Sequence, residues 1–214
     1  MNLDSERRIL IGHPLRPQSM SGHDYDVIVV GAGPVGGHLG RILSERGLHV
    51  LLLEEHKEIG KPFQCAGLVT PSAMNRVGLH DSVLTDVWGA RIHSPQGIRV
   101  EIGEPSILRT HVVCRKLFDE GCVRQAIEAG ATLWVDSRPT DAVVDEEGVT
   151  VSIQREGEDL TLRCKLFCGA DGVHSWTRRH FRFGRPKEFM VGFQAEIAGF
   201  EGPPGRLEMF SGED

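Results

Sequence analysis

Long apolar runs are absent from this 214-residue chain. None approaches the ~20 residues that a membrane-spanning helix requires. Excess positive charge is absent too. Lys and Arg number 24 against 30 Asp and Glu, a formal net charge of −6, which argues against nucleic acid as the main partner. An even set of cysteines is also missing. Cys65, Cys114, Cys122, Cys164 and Cys168 make five, and their spacings match no zinc pattern. Cys164 and Cys168 share one expected strand, which holds their Cα atoms about 13 Å apart, too far for a disulfide. Reduced thiols in a reducing compartment are expected. The histidines are scattered at spacings that fit no single ligand face, so no metal is expected. Behind Arg7 and Arg8 there is only the short apolar patch Ile9–Ile11, too little for a signal-peptide core. The expected location is cytoplasmic, with room for contact at a membrane surface. Internal repeats and low-complexity segments are absent.

Residues 26–55 carry the strongest positive signal. An apolar run, Val27–Val30, feeds Gly31-Ala32-Gly33-Pro34-Val35-Gly36. A helical stretch follows to about Arg46, stopped by Gly47. A second apolar run, Val50–Leu53, ends in Glu54 and Glu55. This order of strand, Gly-rich turn, helix, strand and acid, with the acid about 20 residues past the first Gly, binds the ADP half of a dinucleotide. Gly31 permits the tight turn, Gly33 lets the backbone approach a pyrophosphate, and Gly36 allows close helix packing. The helix N terminus offers unpaired amides and a partial positive charge to the phosphates. Glu54 accepts from a ribose diol. A 2′-phosphate ~4 Å from such a carboxylate costs roughly 4 kcal/mol per charge pair at an effective dielectric of ~20. The unit therefore selects FAD or NAD over NADP.

Along the rest of the chain, residues 1–22 lack periodicity and are expected to be a disordered extension. Residues 56–72 read as a loop and 72–84 as a short helix. Trp88–His93 and Ile98–Ile102 read as a hairpin. Val112–Cys114 is a short strand, and Lys116–Ala129 a helix closed by Gly130. Ala131–Val135 is a strand. Asp141–Asp145, Gly148–Arg155 and Leu160–Cys168 read as an antiparallel meander. Ser175–Arg182 is a short basic helix. Phe189–Phe200 is expected to be a strand, Gly202–Gly205 a turn, and Leu207–Phe210 a strand-like run.

Two further segments carry a resemblance. Leu166–Arg178, LFCGADGVHSWTR, resembles the GADGxxSxxR stretch of the p-hydroxybenzoate-hydroxylase-like class of FAD-dependent oxidoreductases. In that class Gly169, Asp171 and Gly172 would approach the pyrophosphate and ribose, with Arg178 adding positive charge. By its residues alone, the same turn also fits an Asp that caps a helix. Ile59–Leu68, IGKPFQCAGL, resembles the IGKPxQCAGG loop of the geranylgeranyl reductase family, with Leu68 in place of the second Gly. Arg115, Phe118 and Asp119 resemble that family's RxxFD segment. Together the four segments cover most of residues 24–182.

The resemblance implies an α/β fold. It would consist of a Rossmann-like FAD-binding domain, with parallel sheet, helices and antiparallel β-meander, and an incomplete antiparallel substrate domain. The expected division is 23–86 with 103–186 for the cofactor, and 87–102 with 187–214 for a partial substrate domain. The cofactor implied is FAD. Its contacts would be Gly31, Gly33, Val35, Gly36, Glu54, Glu55, Cys65, Ala66, Gly67, Arg115, Pro139, Gly169, Asp171 and Gly172. Pro139 has no N–H, so an adenine contact there must use its carbonyl or a neighbour. By residue type alone, Cys65 also fits a small buried hydrophobe and Arg115 an ordinary surface position. The implied activity is reduction of C=C bonds in isoprenoid chains of lipids or related prenyl compounds. It would require an external electron donor, NAD(P)H or ferredoxin, and would bring peripheral membrane contact. The Gly-Asp segment that closes the resembled class is not found after Asp171, so the chain reads as the first half of such an enzyme. An aromatic monooxygenase and a non-catalytic FAD-binding remnant are the alternatives.

Overall fold

Alternation along two short strands decides the architecture. In β1 (Tyr25–Val30) and β2 (Val50–Leu53), successive side chains enter opposite hydrophobic clusters, as the two-residue strand period requires. Both faces of these strands are buried, the pattern of a covered parallel sheet. The computed structural model describes residues 22–63, 65–195, 197–199, 202 and 204–212. The expected extension, Gly22 apart, lies outside them. In chain order the elements are β1, α1 (Pro34–Glu45), β2, β3 (Leu68–Val69), α2 (Pro71–Val77), a 3-10 turn (His80–Ser82), β4 (Val83–Val87), β5 (Gly89–His93), β6 (Arg99–Gly103) and β7 (Thr110–Val113). There follow α3 (Arg115–Glu128), β8 (Thr132–Trp134), β9 (Ser137–Val144), β10 (Val149–Arg155), β11 (Glu158–Gly169), α4 (Trp176–His180) and β12 (Arg206–Phe210).

By compactness the chain divides into two units, Met1–Lys61 with Asp119–Glu188, and Pro62–Phe118 with Phe189–Asp214. The first holds a six-stranded sheet of order β8-β2-β1-β11-β10-β9. β8, β2, β1 and the end of β11 run parallel, so the three expected parallel strands share one sheet. β11 serves two sheets' worth of pairing. Residues 158–164 run antiparallel to β10, and Cys164–Gly169 run parallel to β1. Cys164 takes part in both. Sequence reading placed all of β11 in the meander; its switch to β1 is a long-range pairing that no local pattern reports. Val123 and Ala126 of α3 fill one side of the parallel strands with Val27, Val29, Val50 and Leu52. The meander residues Ala142, Val151, Ile153 and Leu162 fill the other with Ile28, Leu51, Leu53 and Trp134. The third layer is thus the meander itself.

Polar ties lock this register. Arg163 N–H donates to Asp24 Oδ2 at 2.8 Å, and His49 N–H donates to Asp26 Oδ2 at 2.8 Å. Lys165 Nζ reaches Asp26 Oδ1 at 2.7 Å. The Lys165 ammonium and then the His49 amide hold the Asp26 carboxyl below its ordinary value. Burial pushes the Cys164 thiol up to about 12 and raises Cys168. All five cysteines are free thiols.

The second unit contains two three-stranded sheets, β12-β5-β6 and β3-β7-β4. β3 and β4 fall in stretches expected to be loop and helix. Each is short and gains its partner only from β7. α2 ends at Val77, where the φ of +67° at Gly78 and its N–H to Met74 O close the helix about two turns earlier than expected. The strand expected over Phe189–Phe200 does not form among its described residues. Its described residues carry no regular structure, and Met190, Val191 and Phe193 are almost wholly exposed. Apolar composition favours a strand only where a partner strand pairs with it, and among the described residues none does. Leu207–Phe210 does form a strand, paired in parallel with β5. No helix among the described residues is long and apolar enough to cross a membrane.

Candidate cofactor site

β1 delivers the Gly-rich turn and β11 delivers the Asp-Gly turn, and their pairing sets the two side by side. Ala170 N–H donates to Val30 O at 2.7 Å, and Gly31 N–H donates to Leu53 O at 2.8 Å. Gly31 has φ +93°, and a Cβ on it would lie 2.5 Å from Ala170 O and 2.9 Å from Asp171 Cα. A Cβ on Gly36 would overlap the Gly31 carbonyl oxygen. These two glycines are demanded by the fold. Gly33 is different. Its φ is −73°, open to any residue, and a Cβ there meets nothing within 4 Å. Gly33 caps α1, with Pro34 at the first helical position. The first-turn amides, those of Val35 and Gly36 included, have no partner within the helix. Val35 is exposed.

Glu54 closes over the same turn. Ala32 N–H donates to its Oε2 at 3.0 Å, and His56 N–H donates to Oε1 at 3.0 Å. His56 Nδ1 lies 2.7 Å from Oε1. A carboxylate offers about four acceptor sites. Three are used, which leaves one on Oε2 for an incoming hydroxyl. His56 is a site residue that the sequence motif did not mark, though its position two residues past the acid was the available signal. Glu55 is exposed and opens onto a polar cleft of about 280 Å³ with Asp136, Arg138 and Gln154. The two acids therefore do not act as one pair.

Asp171 braces its own turn. Ser175 Oγ–H donates to Oδ1 at 2.6 Å and Thr177 N–H to Oδ2 at 2.8 Å. Ser175 Oγ then accepts from Arg178 N–H at 2.9 Å and caps α4. Asp171 thus takes one amide of the first turn of α4 beside the Ser175 cap, and so fixes the turn that abuts Gly31. Gly169 is needed because a Cβ would press on the Thr177 side chain at 2.7 Å. Gly172, at φ +71°, is exposed with open space around it. Pro139 is buried in β9 opposite Ile153, where the register shifts.

The remaining expected residues belong to the second unit. Cys65 is exposed, so it is not a buried hydrophobe, and its Sγ lies 3.5 Å from Gly67 N. Ala66 is exposed beside it. Gly67 has φ +77°, and a Cβ would overlap Val113 O. Val113 N–H donates to Gly67 O at 2.9 Å. The β3–β7 pairing therefore sets the Cys65–Gly67 loop against the strand end that leads into Arg115, the first residue of α3.

A Gly-rich turn clear of Cβ atoms at Gly33, a helix N terminus and one free carboxylate acceptor fit a diphosphate followed by a ribose diol. Comparison with known proteins agrees. The FAD binding domain family matches residues 24–197. The digeranylgeranylglycerophospholipid reductase of Methanosarcina acetivorans is 33% identical over 198 residues, covering 89% of this chain and 49% of the relative. That of Methanocella arvoryzae is 37% identical over 157 residues, covering 71% and 40%. The chain thus spans about half the length of the curated relatives it matches. A geranylgeranyl bacteriochlorophyll reductase-like protein from Thermoplasma acidophilum superposes with a TM-score of 0.71 at 24% identity, over 88% of this chain and 50% of that one. Anhydrotetracycline hydroxylase from Streptomyces rimosus gives 0.62 at 26%, over 74% and 34%.

Proposed function

This chain belongs to the FAD binding domain family, and from that premise we propose that it serves an FAD-dependent oxidoreductase reducing C=C bonds of isoprenoid chains, geranylgeranyl chains of lipids above all. The observation that carries the reading is the likeness to the archaeal digeranylgeranylglycerophospholipid reductases, whose names state both chemistry and substrate. The turn at Gly31, Gly33, Val35 and Gly36, with Glu54, holds the ADP half. Gly169, Asp171 and Gly172 hold the second strand's turn against it. Glu55 and Pro139 flank the adenosine end, and Cys65, Ala66, Gly67 and Arg115 serve the flavin end. When bound and reduced, the flavin supplies a hydride equivalent to the double bond.

Residues 23–86 and 103–186 act as the cofactor domain, and 87–102 and 187–214 as part of the substrate domain. In the β12-β5-β6 sheet, register places Ala90, Ile92, Val100, Ile102, Leu207 and Met209 on one face. The opposite face carries Arg91, Glu101 and Glu208, tied at 2.8–3.0 Å. The first face is apolar throughout, and Val100, Ile102 and Met209 are half exposed. A prenyl chain is apolar along its length, and covering such a surface stabilises it by about 25 cal/mol per Å². The electron donor is NAD(P)H or ferredoxin. The protein works in the cytoplasm, at the membrane surface where its lipid lies.

The test is to add FAD, dithionite and a geranylgeranylated glycerophospholipid to the purified chain and follow product mass. A gain of two hydrogens per double bond supports the reading. Oxygen-dependent gain of one oxygen on an aromatic substrate, with no saturation, would replace it with the monooxygenase. FAD binding with neither reaction would leave the non-catalytic remnant.

A further inference from the structure

From Gly172 to Lys187 the chain carries five basic residues, Arg178, Arg179, Arg182, Arg185 and Lys187, and no acid. The other 19 Lys and Arg share the chain with all 30 Asp and Glu. Positive charge is thus concentrated in one stretch of an acidic protein. Arg178 is half-buried at the Asp171 turn, whereas Arg179, Arg182, Arg185 and Lys187 are exposed. None of these four forms an ion pair with a described residue. Elsewhere Arg91, Arg163, Lys165 and Arg206 are each held by an acid at 2.7–2.9 Å. The acids of the meander beside α4 have other neighbours. Asp141 lies 3.7 Å from His180, Arg163 takes Asp145 and Glu147, and Glu146 stands with those two on the groove along β11.

The end of α4 holds one of these cations in an unfavourable backbone. Phe183 N–H donates to Arg178 O at 3.0 Å and Arg182 N–H donates to Arg179 O at 3.3 Å. That pair of bonds closes a helix around a left-handed residue, which is usually glycine. Here it is Arg182, at φ +54°, a conformation that glycine adopts more readily than arginine. Exposed apolar side chains accompany the cations: Phe183 after the turn is 63% exposed, and Val173 before the helix 59%.

We propose that Arg179, Arg182, Arg185 and Lys187 form the face by which the protein docks on an anionic lipid bilayer. Cations clear of acids, with apolar side chains among them, match negative headgroups over apolar chains. Duplex nucleic acid offers the charge but no apolar layer. Each cation near such a surface raises affinity roughly fivefold. The choice of a lipid surface rests on the prenyl-lipid reading above; the concentration of charge does not.

The probe is sedimentation of the 214-residue chain with sucrose-loaded phosphatidylcholine vesicles, with or without phosphatidylglycerol and free of prenyl chains. Binding should require the anionic lipid and fade as salt rises. Arg179→Gln combined with Arg185→Gln should weaken it about 25-fold. Arg182→Gly should weaken it about fivefold and raise the melting temperature by roughly 2–8 °C. A turn with no docking role would show the second change without the first. Equal binding to both kinds of vesicle, or equal binding by parent and variants, would overturn the proposal. So would binding to duplex DNA as tight as to anionic vesicles. A salt-sensitive dimer that the vesicles do not disperse would also overturn it, making a second copy the occupant. Vesicle binding that follows these variants in a chain that reduces no prenyl bond supports the docking face and fails the reductase reading alone.

Discussion

Replacing Gly31 and Gly33 separately by alanine distinguishes the glycine that the fold requires from the glycine that the ligand requires. At Gly31 two costs add. A φ of +93° costs an L-residue about 1–2 kcal/mol. A Cβ 2.5 Å from Ala170 O forces the two signature turns apart, an overpacking of about 1–3 kcal/mol. At ~2–4 °C per kcal/mol for a chain of this size, Gly31→Ala should lower the melting temperature of the FAD-free protein by about 4–20 °C. At Gly33 the costs nearly cancel. Alanine is a poorer cap than glycine, by up to ~1 kcal/mol. It also restricts the unfolded chain, which restores about 0.4–1 kcal/mol. With nothing within 4 Å of the new methyl, stability should hold within about 1 kcal/mol of the parent. FAD affinity should nonetheless fall at least tenfold, about 1.4 kcal/mol, because the methyl meets the pyrophosphate. The assays are thermal melts without FAD and flavin-fluorescence titrations. Equal melting losses for the two variants, or an unchanged dissociation constant for Gly33→Ala, would refute the reasoning.

Three other outcomes are expected. Asp26 has a depressed pKa from Lys165 and the His49 amide. Its stabilisation is present above the ordinary aspartate value of ~4 and is lost as pH falls through the lower folded value. Asp26→Asn should therefore lower stability at neutral pH and flatten the acid limb of a urea-midpoint against pH plot. With its thiol pushed up to about 12, Cys164 has only about one thiolate in 10⁴ at pH 8. Iodoacetamide followed by peptide mapping should label the exposed Cys65 first, and Cys122 and Cys164 only on unfolding. His56→Ala removes one hydrogen bond that orients Glu54, worth ~0.5–1.5 kcal/mol. FAD binding should weaken several-fold, with partial recovery in His56→Asn.

Local pattern carried most of the cofactor domain. The strands Val27–Val30 and Val50–Leu53 were legible from their apolar runs, and α1 and α3 from periodicity and their glycine stops. What escaped the sequence depends on distant pairing. β11 leaves the meander to join β1 because Cys164 and its neighbours meet Tyr25–Val30, across most of the cofactor domain's length. β3 and β4 exist only through β7. Phe189–Phe200 shows the converse, a strand-like composition with no partner among the described residues. In the site, the need for glycine at the tight turn was legible at Gly31, but the agent that crowds it is the Ala170 carbonyl, which no motif names. Glu54 and Glu55 are adjacent in the sequence. The backbone turns them apart, and the true companion of Glu54 is His56.

Competition at the flavin site tests the central claim most directly. The chain is titrated with FAD by fluorescence, then challenged with ADP and with 2′-phospho-ADP, and the series is repeated with Glu54→Arg. The account predicts FAD binding that ADP displaces, at least tenfold weaker displacement by 2′-phospho-ADP, and weaker FAD binding with that preference reduced or reversed in Glu54→Arg. Tighter binding of 2′-phospho-ADP than ADP by the parent chain, or FAD binding untouched by Glu54→Arg, would contradict it.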